Sequence, residues 1–394
     1  MPTSDDSRPV HIIGAGPGGL ATAAALRERG IRSVVLERSD SVGASWREHY
    51  DRLRLHTTRR WSALPGLPIP RSYGRWVGRD DLVRYLEEYT RHHRLEVALG
   101  VEVSRIDRMD AADGTDGPDG KSSGGWVLRA NGGRELAAPV VVVATGYNHT
   151  PRVPDWPGRD SYRGELLHAR HYRNAEPYAG RDVLVVGTGN TGTEIALDLA
   201  GGGAARVRLA VRTPPHIVRR STAGWPAQAT GVAVRRLPTP LVDLMARGVT
   251  RVSVPDLSQY GLPRPRTGLY SRVRQGAIPV QDMGFVTAVR RGLIEPVAAV
   301  ESFDGSEVHL ADGSTLSPDV VIAATGYRRG LEELVGHLGV LDGRGLPRVH
   351  GRRTLRTAPG LYFTGYTNPI SGMLRELGLD ARRIARAVAR TTTG

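Results

Sequence analysis

Two glycine-rich turns carry the residues whose types and spacing point to chemistry. In the first, Val10-His11-Ile12-Ile13 runs into Gly14-Ala15-Gly16-Pro17-Gly18-Gly19, a helical stretch follows from Leu20 to about Arg29, and a second apolar run from Ser33 to Leu36 ends in Glu37 and Arg38. Glycines at this spacing let backbone approach a pyrophosphate at a helix N-terminus, and an acidic residue about 20 positions on takes the ribose hydroxyls. The pattern recurs: Asp182-Val183-Leu184-Val185-Val186 leads into Gly187-Thr188-Gly189-Asn190-Thr191-Gly192, then an amphipathic helix through Leu199 and a strand Val207 to Val211 that ends in Arg212. A carboxylate there would repel a 2′-phosphate, whereas a guanidinium pairs with it bidentately. The first site is therefore expected to take a dinucleotide with a free ribose, and the second NADP.

The elements that must position these turns are also repeated. Pro139-Val140-Val141-Val142-Val143-Ala144-Thr145-Gly146-Tyr147 returns as Pro318-Asp319-Val320-Val321-Ile322-Ala323-Ala324-Thr325-Gly326-Tyr327, and each copy follows a hairpin marked by Asn131-Gly132 or Asp312-Gly313. Asn-Gly and Asp-Gly are strong hairpin signals. Small residues at the ends of these strands let backbone pass close to a bound dinucleotide. Gly360-Leu361-Tyr362-Phe363-Thr364-Gly365 and a terminal helix from about Gly372 to Arg390 supply the closing strand and helix that the first unit needs. The expected fold is α/β, with two Rossmann-like dinucleotide-binding domains and the NADP domain inserted into the FAD domain. Residues 1–150 and 319–394 would form the FAD-binding domain and 151–318 the NADPH-binding domain. Gly14, Gly16, Gly18, Gly19, Glu37, Arg38, Val103, Ala144, Thr145, Gly146 and Gly365 are expected along the FAD. Gly187, Gly189, Asn190, Thr191, Gly192 and Arg212 are expected along the NADPH, with Ala324, Thr325, Gly326 and Tyr327 closing the second copy. The Asp/Gly/Ser-rich stretch 110–125 reads as a loop without function, and the proline-rich stretch 214–279 as irregular.

Composition removes several other classes. The 394 residues suit two or three domains, and 40% hydrophobic with 24% charged residues is ordinary for a packed globular chain. With no cysteine, disulfides, thiol nucleophiles, cysteine zinc sites and CxxC redox pairs are excluded. The net charge is 54 − 40 = +14, yet Lys121 is the only lysine and the arginines form no block or tail, so nucleic-acid binding is not expected. No run approaches the ~20 apolar residues a membrane span needs. The start MPTSDDSRPV has no apolar signal core, so the chain is expected to be cytoplasmic. His92-His93 lies on a charge-rich helical stretch and reads as a solvated face, and no metal site is expected.

Between the two units lies Tyr162-Arg163-Gly164-Glu165-Leu166-Leu167-His168-Ala169-Arg170-His171-Tyr172, which resembles the FxGxxxHxxxY signature of class B flavin-dependent monooxygenases, with tyrosine for phenylalanine. The likeness extends to the plant YUCCA-type flavin monooxygenases through Tyr50-Asp51-Arg52-Leu53-Arg54-Leu55-His56, Leu64-Pro65, Pro68-Ile69-Pro70, Val211-Arg212 and Tyr260-Gly261-Leu262. The resemblance implies FAD and NADPH as cofactors, O2 and a small organic molecule as substrates, and oxygen transfer by a C4a-(hydro)peroxyflavin. It implies that Trp46, Arg54, Leu55 and His56 pass near the flavin, and that His168 couples the two domains. His56 is the catalytic candidate, as a hydrogen-bond donor to the distal oxygen, with a packing role as its alternative. Oxygenation of an amine or sulfide, of a ketone in the Baeyer–Villiger manner, or of a 2-oxo acid such as an aryl pyruvate all stay open. So do a flavin reductase or oxidase that passes electrons to a partner or releases peroxide, an NADPH-sensing regulatory protein, and a homodimer.

The chain also departs from the family at defined places. His56 stands where animal-type flavin monooxygenases carry asparagine, and Tyr172 where Baeyer–Villiger enzymes usually carry tryptophan. Gly365-Tyr366 replaces the Gly-Asp of many two-dinucleotide flavoproteins, and Asn368-Pro369-Ile370-Ser371-Gly372 does not closely match the plant enzymes.

Overall fold

The computed structural model describes residues 8–109, 125–222, 224–234 and 237–392. Most of the loop expected at 110–125 therefore lies outside the described residues. Two five-stranded parallel sheets organise the chain. The first runs in the order 361–363, 141–143, 10–13, 33–37, 96–99. Its middle strand Val10–Ile13 is buried along its whole length, as a parallel strand covered on both faces must be. The helices Pro17–Arg27 and Met373–Thr392 pack on one face. A three-stranded antiparallel sheet, which includes Trp126–Ala130, covers the other through Trp126 and Leu128. In the terminal helix Leu374, Leu377, Ala381, Ile384, Ala385 and Val388 are buried at helical spacing, one stripe facing the core.

The second sheet repeats the plan in the order 295–298, 206–211, 182–186, 320–323, 165–168. The helix Asn190–Gly201 lies on one face, and an antiparallel hairpin that brings Phe303 and Val308 lies on the other. The two units are duplicates in architecture. Their boundary differs from the expected one. Val320–Ala323 pairs with Val183–Val186 and with Glu165–His168, so it belongs to the inserted sheet, and the chain returns to the first sheet only at Leu361–Phe363. A break at 318/319 would cut this strand from its sheet. Tyr327 and Arg328 pair with Pro151 and Thr150, so the chain enters and leaves the inserted unit through neighbouring strands.

The proline-rich stretch 214–279 is also more regular than expected. It forms the helices Ala227–Val234, Thr239–Ser253 and Leu269–Arg274. Three of its prolines mark starts: Pro226 precedes the first helix, Pro238 caps the second and Pro240 lies in that helix's first turn. Proline fits there because the first-turn N–H groups have no helical partner to lose.

Candidate functional site

The first glycine turn is built by close backbone approach. Gly14 has φ +106°, and a Cβ on it would lie 2.6 Å from the carbonyl oxygen of Ala144. A Cβ on Gly19 would come within 1.9 Å of the Gly14 oxygen, and one on Gly18 within 3.0 Å of Leu377 in the terminal helix. Gly18 and Gly19 thus serve helix packing. Gly16 differs, with no atom within 4 Å of its Cβ position. It caps the helix Pro17–Arg27 without a side-chain hydrogen bond and with no acidic residue in the first turn, which leaves first-turn N–H groups for an oxyanion. Glu37 Oε2 accepts from the Ala15 N–H at 2.7 Å and Oε1 from the Ser39 N–H at 3.0 Å. Both oxygens keep lone pairs for ribose hydroxyls. Arg38 Nη1 stands 3.2 Å from His149 Nε2. Val103 opens a strand just after Val101, whose N–H reaches the Glu37 carbonyl at 2.9 Å. Trp46, on the short helix Ala44–Arg47, packs partly buried on the first core.

Thr145 and Gly365, expected along the FAD, are held by Tyr366, His350 and Asp380, which were not expected at the site. The Tyr366 hydroxyl lies 2.8 Å from Thr145 Oγ1 and accepts from the Thr145 N–H at 3.2 Å, and burial raises its pKa above that of a free phenol. Gly365 and Tyr366 donate their N–H groups to His350 Nε2 at 3.1 and 3.4 Å, while His350 Nδ1 stands 3.2 Å from Asp380 on the terminal helix. The turn after the closing strand is thereby fixed by a His–Asp pair.

The second turn reproduces the first. Gly187 has φ +120°, its Cβ would meet the Ala324 oxygen at 2.4 Å, a Cβ on Gly192 would meet the Gly187 oxygen at 1.9 Å, and Gly189 again faces open space. Asn190 behaves differently from the expectation. Its side chain is spent on protein, accepting from the Gln281 N–H at 2.8 Å and donating to the Pro279 carbonyl at 3.1 Å, so only its backbone is left at the helix start beside Thr191. Arg212 is exposed at the end of its strand and forms no ion pair among the described residues.

The linker signature is a clasp. His168 is buried, donates from Nε2 to the Gly326 carbonyl at 3.0 Å and accepts from the Arg170 N–H on Nδ1 at 3.1 Å. Burial lowers its pKa, in keeping with a neutral ring whose two nitrogens are both used. Tyr327 packs edge-on against it, and Thr325 Oγ1 donates to the Arg152 carbonyl. A Cβ on Gly164 would stand 2.4 Å from the Tyr162 hydroxyl, which donates to the Pro318 carbonyl at 2.6 Å. Tyr172 is fully buried and donates to Asp198 at 2.7 Å. These residues tie the linker to the inserted sheet.

Between the units, residues 48–56 of the first are bolted onto the fingerprint helix of the second. Tyr50 is buried in the second unit's core, and Arg52 pairs with Asp198 at 3.2 Å. Tyr50 donates to Glu194 Oε2 at 2.9 Å, and His56 Nε2 lies 3.0 Å from Glu194 Oε1. Burial, reinforced by the Glu194 carboxylate, holds the Tyr50 phenol protonated well beyond the usual range. Leu55 is buried, and its carbonyl accepts from Arg220, whose guanidinium lies 4.0 Å from the centre of the Trp76 ring. Burial lowers the Arg220 pKa to about 10. Arg54 donates to the Trp76 carbonyl at 3.3 Å. Gln228 accepts from the Thr58 N–H at 2.9 Å and donates to the Ser371 carbonyl at 2.9 Å, so the helix Ala227–Val234 spans from the His56 segment to the Asn368–Gly372 segment. Away from this cleft, the His93 ring lies tilted against Tyr89 with ring centres 4.4 Å apart.

The cradles fit two dinucleotides: in each turn the outer glycine opens on free space at an uncapped helix start, with Glu37 beside the first and Arg212 beside the second. Comparison with known proteins agrees. Residues 11–223 match the pyridine nucleotide-disulphide oxidoreductase family. The indole-3-pyruvate monooxygenase YUCCA1 of Oryza sativa subsp. japonica is 38% identical over 360 residues, covering 90% of this chain and 86% of that protein. A probable indole-3-pyruvate monooxygenase, YUCCA1 of Arabidopsis thaliana, is 34% identical over 90% of this chain and 84% of its own length. In fold, a flavin-containing monooxygenase from Stenotrophomonas maltophilia superposes with a TM-score of 0.72 at 24% identity, over 98% of this chain and 99% of the other. Cyclohexanone monooxygenase from Rhodococcus sp. Phi1 gives 0.70 at 19% identity, over 98% and 84%. The chain belongs to the class B flavin-dependent monooxygenases and is an NADPH- and O2-dependent enzyme with FAD as its flavin.

Proposed function

We propose that the substrate is a 2-oxo acid bearing an aryl group, oxidised with loss of its carboxylate. The carrying observation is the 38% identity, over nearly the whole chain, to a protein named an indole-3-pyruvate monooxygenase. Arg220 supports it: the guanidinium is held next to the Leu55–His56 segment and forms no ion pair among the described residues, which suits a substrate carboxylate. In such a reaction the bond between the keto carbon and the carboxylate breaks. One atom of O2 enters the new, shorter acid and the other leaves as water. The carboxylate departs as CO2, and NADPH supplies two electrons.

FAD, which the Gly14–Gly19 turn and Glu37 would hold, would supply the hydride-accepting and oxygen-activating chemistry. The chain's residues do the rest. Gly16 and Gly189 give the two pyrophosphates access to helix N-termini, Glu37 orients the FAD ribose and Arg212 selects the 2′-phosphate. His56 offers a ring nitrogen to the oxygen-reacting region, and the ties from Glu194, Gln228 and Arg220 hold the two units together and keep water out. A homodimer is part of the proposal, through the exposed Leu241, Leu244, Met245 and Val249 of the helix Thr239–Ser253; sedimentation of the FAD-loaded protein tests it.

The substrate test supplies the FAD-loaded protein with NADPH, ¹⁸O2 and, in turn, phenylpyruvate, a cyclic ketone, a sulfide and an amine. The expected result is phenylacetate carrying one ¹⁸O, with one CO2 per NADPH. Oxygenation of the sulfide or amine alone would overturn the substrate assignment, and peroxide from every mixture would favour an oxidase.

A further inference from the structure

Just beyond the closing strand Leu361–Phe363, the N–H groups of Gly365 and Tyr366 donate to a single side-chain atom, His350 Nε2, at 3.1 and 3.4 Å. A ring nitrogen that accepts carries no hydrogen, so the imidazole is neutral here with its hydrogen on Nδ1. The segment that brings His350 is itself tied to the strand, the Gly351 N–H donating to the Phe363 carbonyl at 2.9 Å. From the turn the contacts run on into the first dinucleotide cradle. Tyr366 is buried, and its hydroxyl meets Thr145 Oγ1 at 2.8 Å and the Thr145 N–H at 3.2 Å. Thr145 follows Ala144, whose carbonyl oxygen is the atom a Cβ on Gly14 would strike. One imidazole lone pair therefore ends a continuous series of contacts that begins at the Gly14 turn. Charged groups surround the ring on the other side. The terminal helix sets Asp380 3.2 Å from Nδ1, and Arg383 of that helix holds the same carboxylate at 3.1 Å. On the ring's own segment Arg352 and Arg353 are exposed, and Arg348 donates to the Leu341 carbonyl. The turn presents the Tyr366 phenol, which burial keeps protonated. Burial lowers the His350 pKa, with Asp380 opposing it.

We infer that His350 is a positioning residue of the FAD cradle and works only as a neutral ring, so that a proton on Nε2 releases the Gly365–Tyr366 turn and, through Tyr366 and Thr145, loosens the hold on FAD. A protonated Nε2 points an N–H at two other N–H groups and leaves both without an acceptor. Asp380 cannot restore those bonds, because it stands at the other ring nitrogen. Its charge favours the imidazolium once the turn has gone. The sign follows from linkage. FAD selects the neutral ring, so its affinity is full above about pH 6.5 and falls as the pH drops toward the lowered value of the held ring. The inference rests on the proposed placement of FAD against Thr145 and Gly365.

The test is FAD release from the diluted, FAD-loaded protein, read by flavin fluorescence at about pH 7.5 and about pH 5.5, one unit either side of a free imidazole. In the wild type the Kd for FAD should rise about three- to ten-fold at the lower pH, the span open to one linked proton. His350→Gln keeps an accepting oxygen and cannot be protonated in this range. It should hold FAD nearly as the wild type does at the higher pH and lose the acid response. His350→Ala strands both N–H groups and should bind FAD at least about ten-fold more weakly at either pH. A flat profile in the wild type, the wild-type response retained in His350→Gln, or wild-type affinity in His350→Ala would each overturn the inference. Amide hydrogen exchange at Gly365 and Tyr366 is the second readout and needs no flavin. Corrected for the intrinsic rate, protection should fall on acidification in the wild type and stay constant in His350→Gln; equal behaviour of the two proteins would also overturn it. A wild type that retains no FAD at either pH would defeat the placement of the cofactor, and the exchange pattern would then decide the role of His350 at the turn.

Discussion

The α-carbon of Gly187 faces the carbonyl oxygen of Ala324 so closely that a Cβ would lie 2.4 Å from it, the same relationship that Gly14 has with Ala144. In each unit the turn after the first strand is pressed against the end of a neighbouring strand, and the free face of the turn is thereby held toward the helix start. Gly14→Ala and Gly187→Ala should each destabilise the unit that contains them. The positive φ alone is worth about 1–3 kcal/mol, before the clash is relieved. Gly16→Ala should differ, since its Cβ position is open. That variant should keep its melting temperature as apoprotein and lose FAD, because the new methyl occupies the pyrophosphate's approach. Melting curves and flavin content of the three proteins check the split. Full FAD occupancy in Gly16→Ala would show that the pyrophosphate lies elsewhere.

Arg212→Ala should raise the KM for NADPH and leave that for NADH nearly unchanged. A hydrogen bond to a charged group is worth about 1.5–3 kcal/mol, so the preference for NADPH should fall about ten- to hundred-fold. Steady-state kinetics with both nucleotides decide it, and an unchanged preference removes Arg212 from the site.

His168→Ala should cost stability without altering the chemistry of the folded enzyme. It strands the Gly326 carbonyl and the Arg170 N–H, each at about 1–3 kcal/mol if water cannot replace the ring. The melting temperature should drop, while the ratio of product to NADPH consumed should match the wild type. A large rise in peroxide at unchanged stability would instead give His168 a direct catalytic role.

Stability should fall on mild acidification. Burial lowers the pKa of His11, His93, His149, His168, His216 and His350, and pushes His49 down to about 4 with help from Arg173. Between a depressed folded value and the unfolded value near 6.5, the unfolded chain binds more protons, so unfolding is favoured as pH falls. The stabilisation is present above about pH 6.5 and is lost as pH drops through the folded values. His49 alone accounts for on the order of 3 kcal/mol by pH 4. Denaturant titrations at pH 7.5, 6 and 5, values chosen on the order of one unit either side of a free imidazole, should show midpoints that decline in step. A flat profile would mean these rings titrate as in the unfolded chain.

The parts of this molecule that were legible in its sequence are those where backbone geometry restricts residue type. Gly14, Gly19, Gly187 and Gly192 announce turns because few other residues fit them, and the strand ends at Ala144 and Ala324 repeat because both must face such a turn. Val320–Ala323 was assigned to the wrong side of the domain boundary because an apolar run is equally suited to either parallel sheet; only pairing with Val183–Val186 reveals its place. The cleft was less legible still. Glu194 meets Tyr50 across 144 residues, Gln228 meets Thr58 across 170, and Arg220 meets the Leu55 carbonyl across 165. No local spacing encodes such contacts. Glu194 left one signal, a carboxylate among the buried residues of a fingerprint helix. Asn190 shows the converse, a residue in the motif whose side chain turns out to serve the loop at Pro279–Gln281.

The most direct measurement on the central claim is rapid mixing. The FAD-loaded protein is reduced with NADPH in the absence of oxygen, mixed with O2, and followed by flavin absorbance. Cooperation of both dinucleotide sites in oxygen transfer predicts a transient species distinct from oxidised and reduced flavin. It should persist while NADP⁺ stays bound, and decay faster when substrate is added. Direct return to oxidised flavin, with one peroxide per NADPH and no effect of NADP⁺ or substrate, would contradict it.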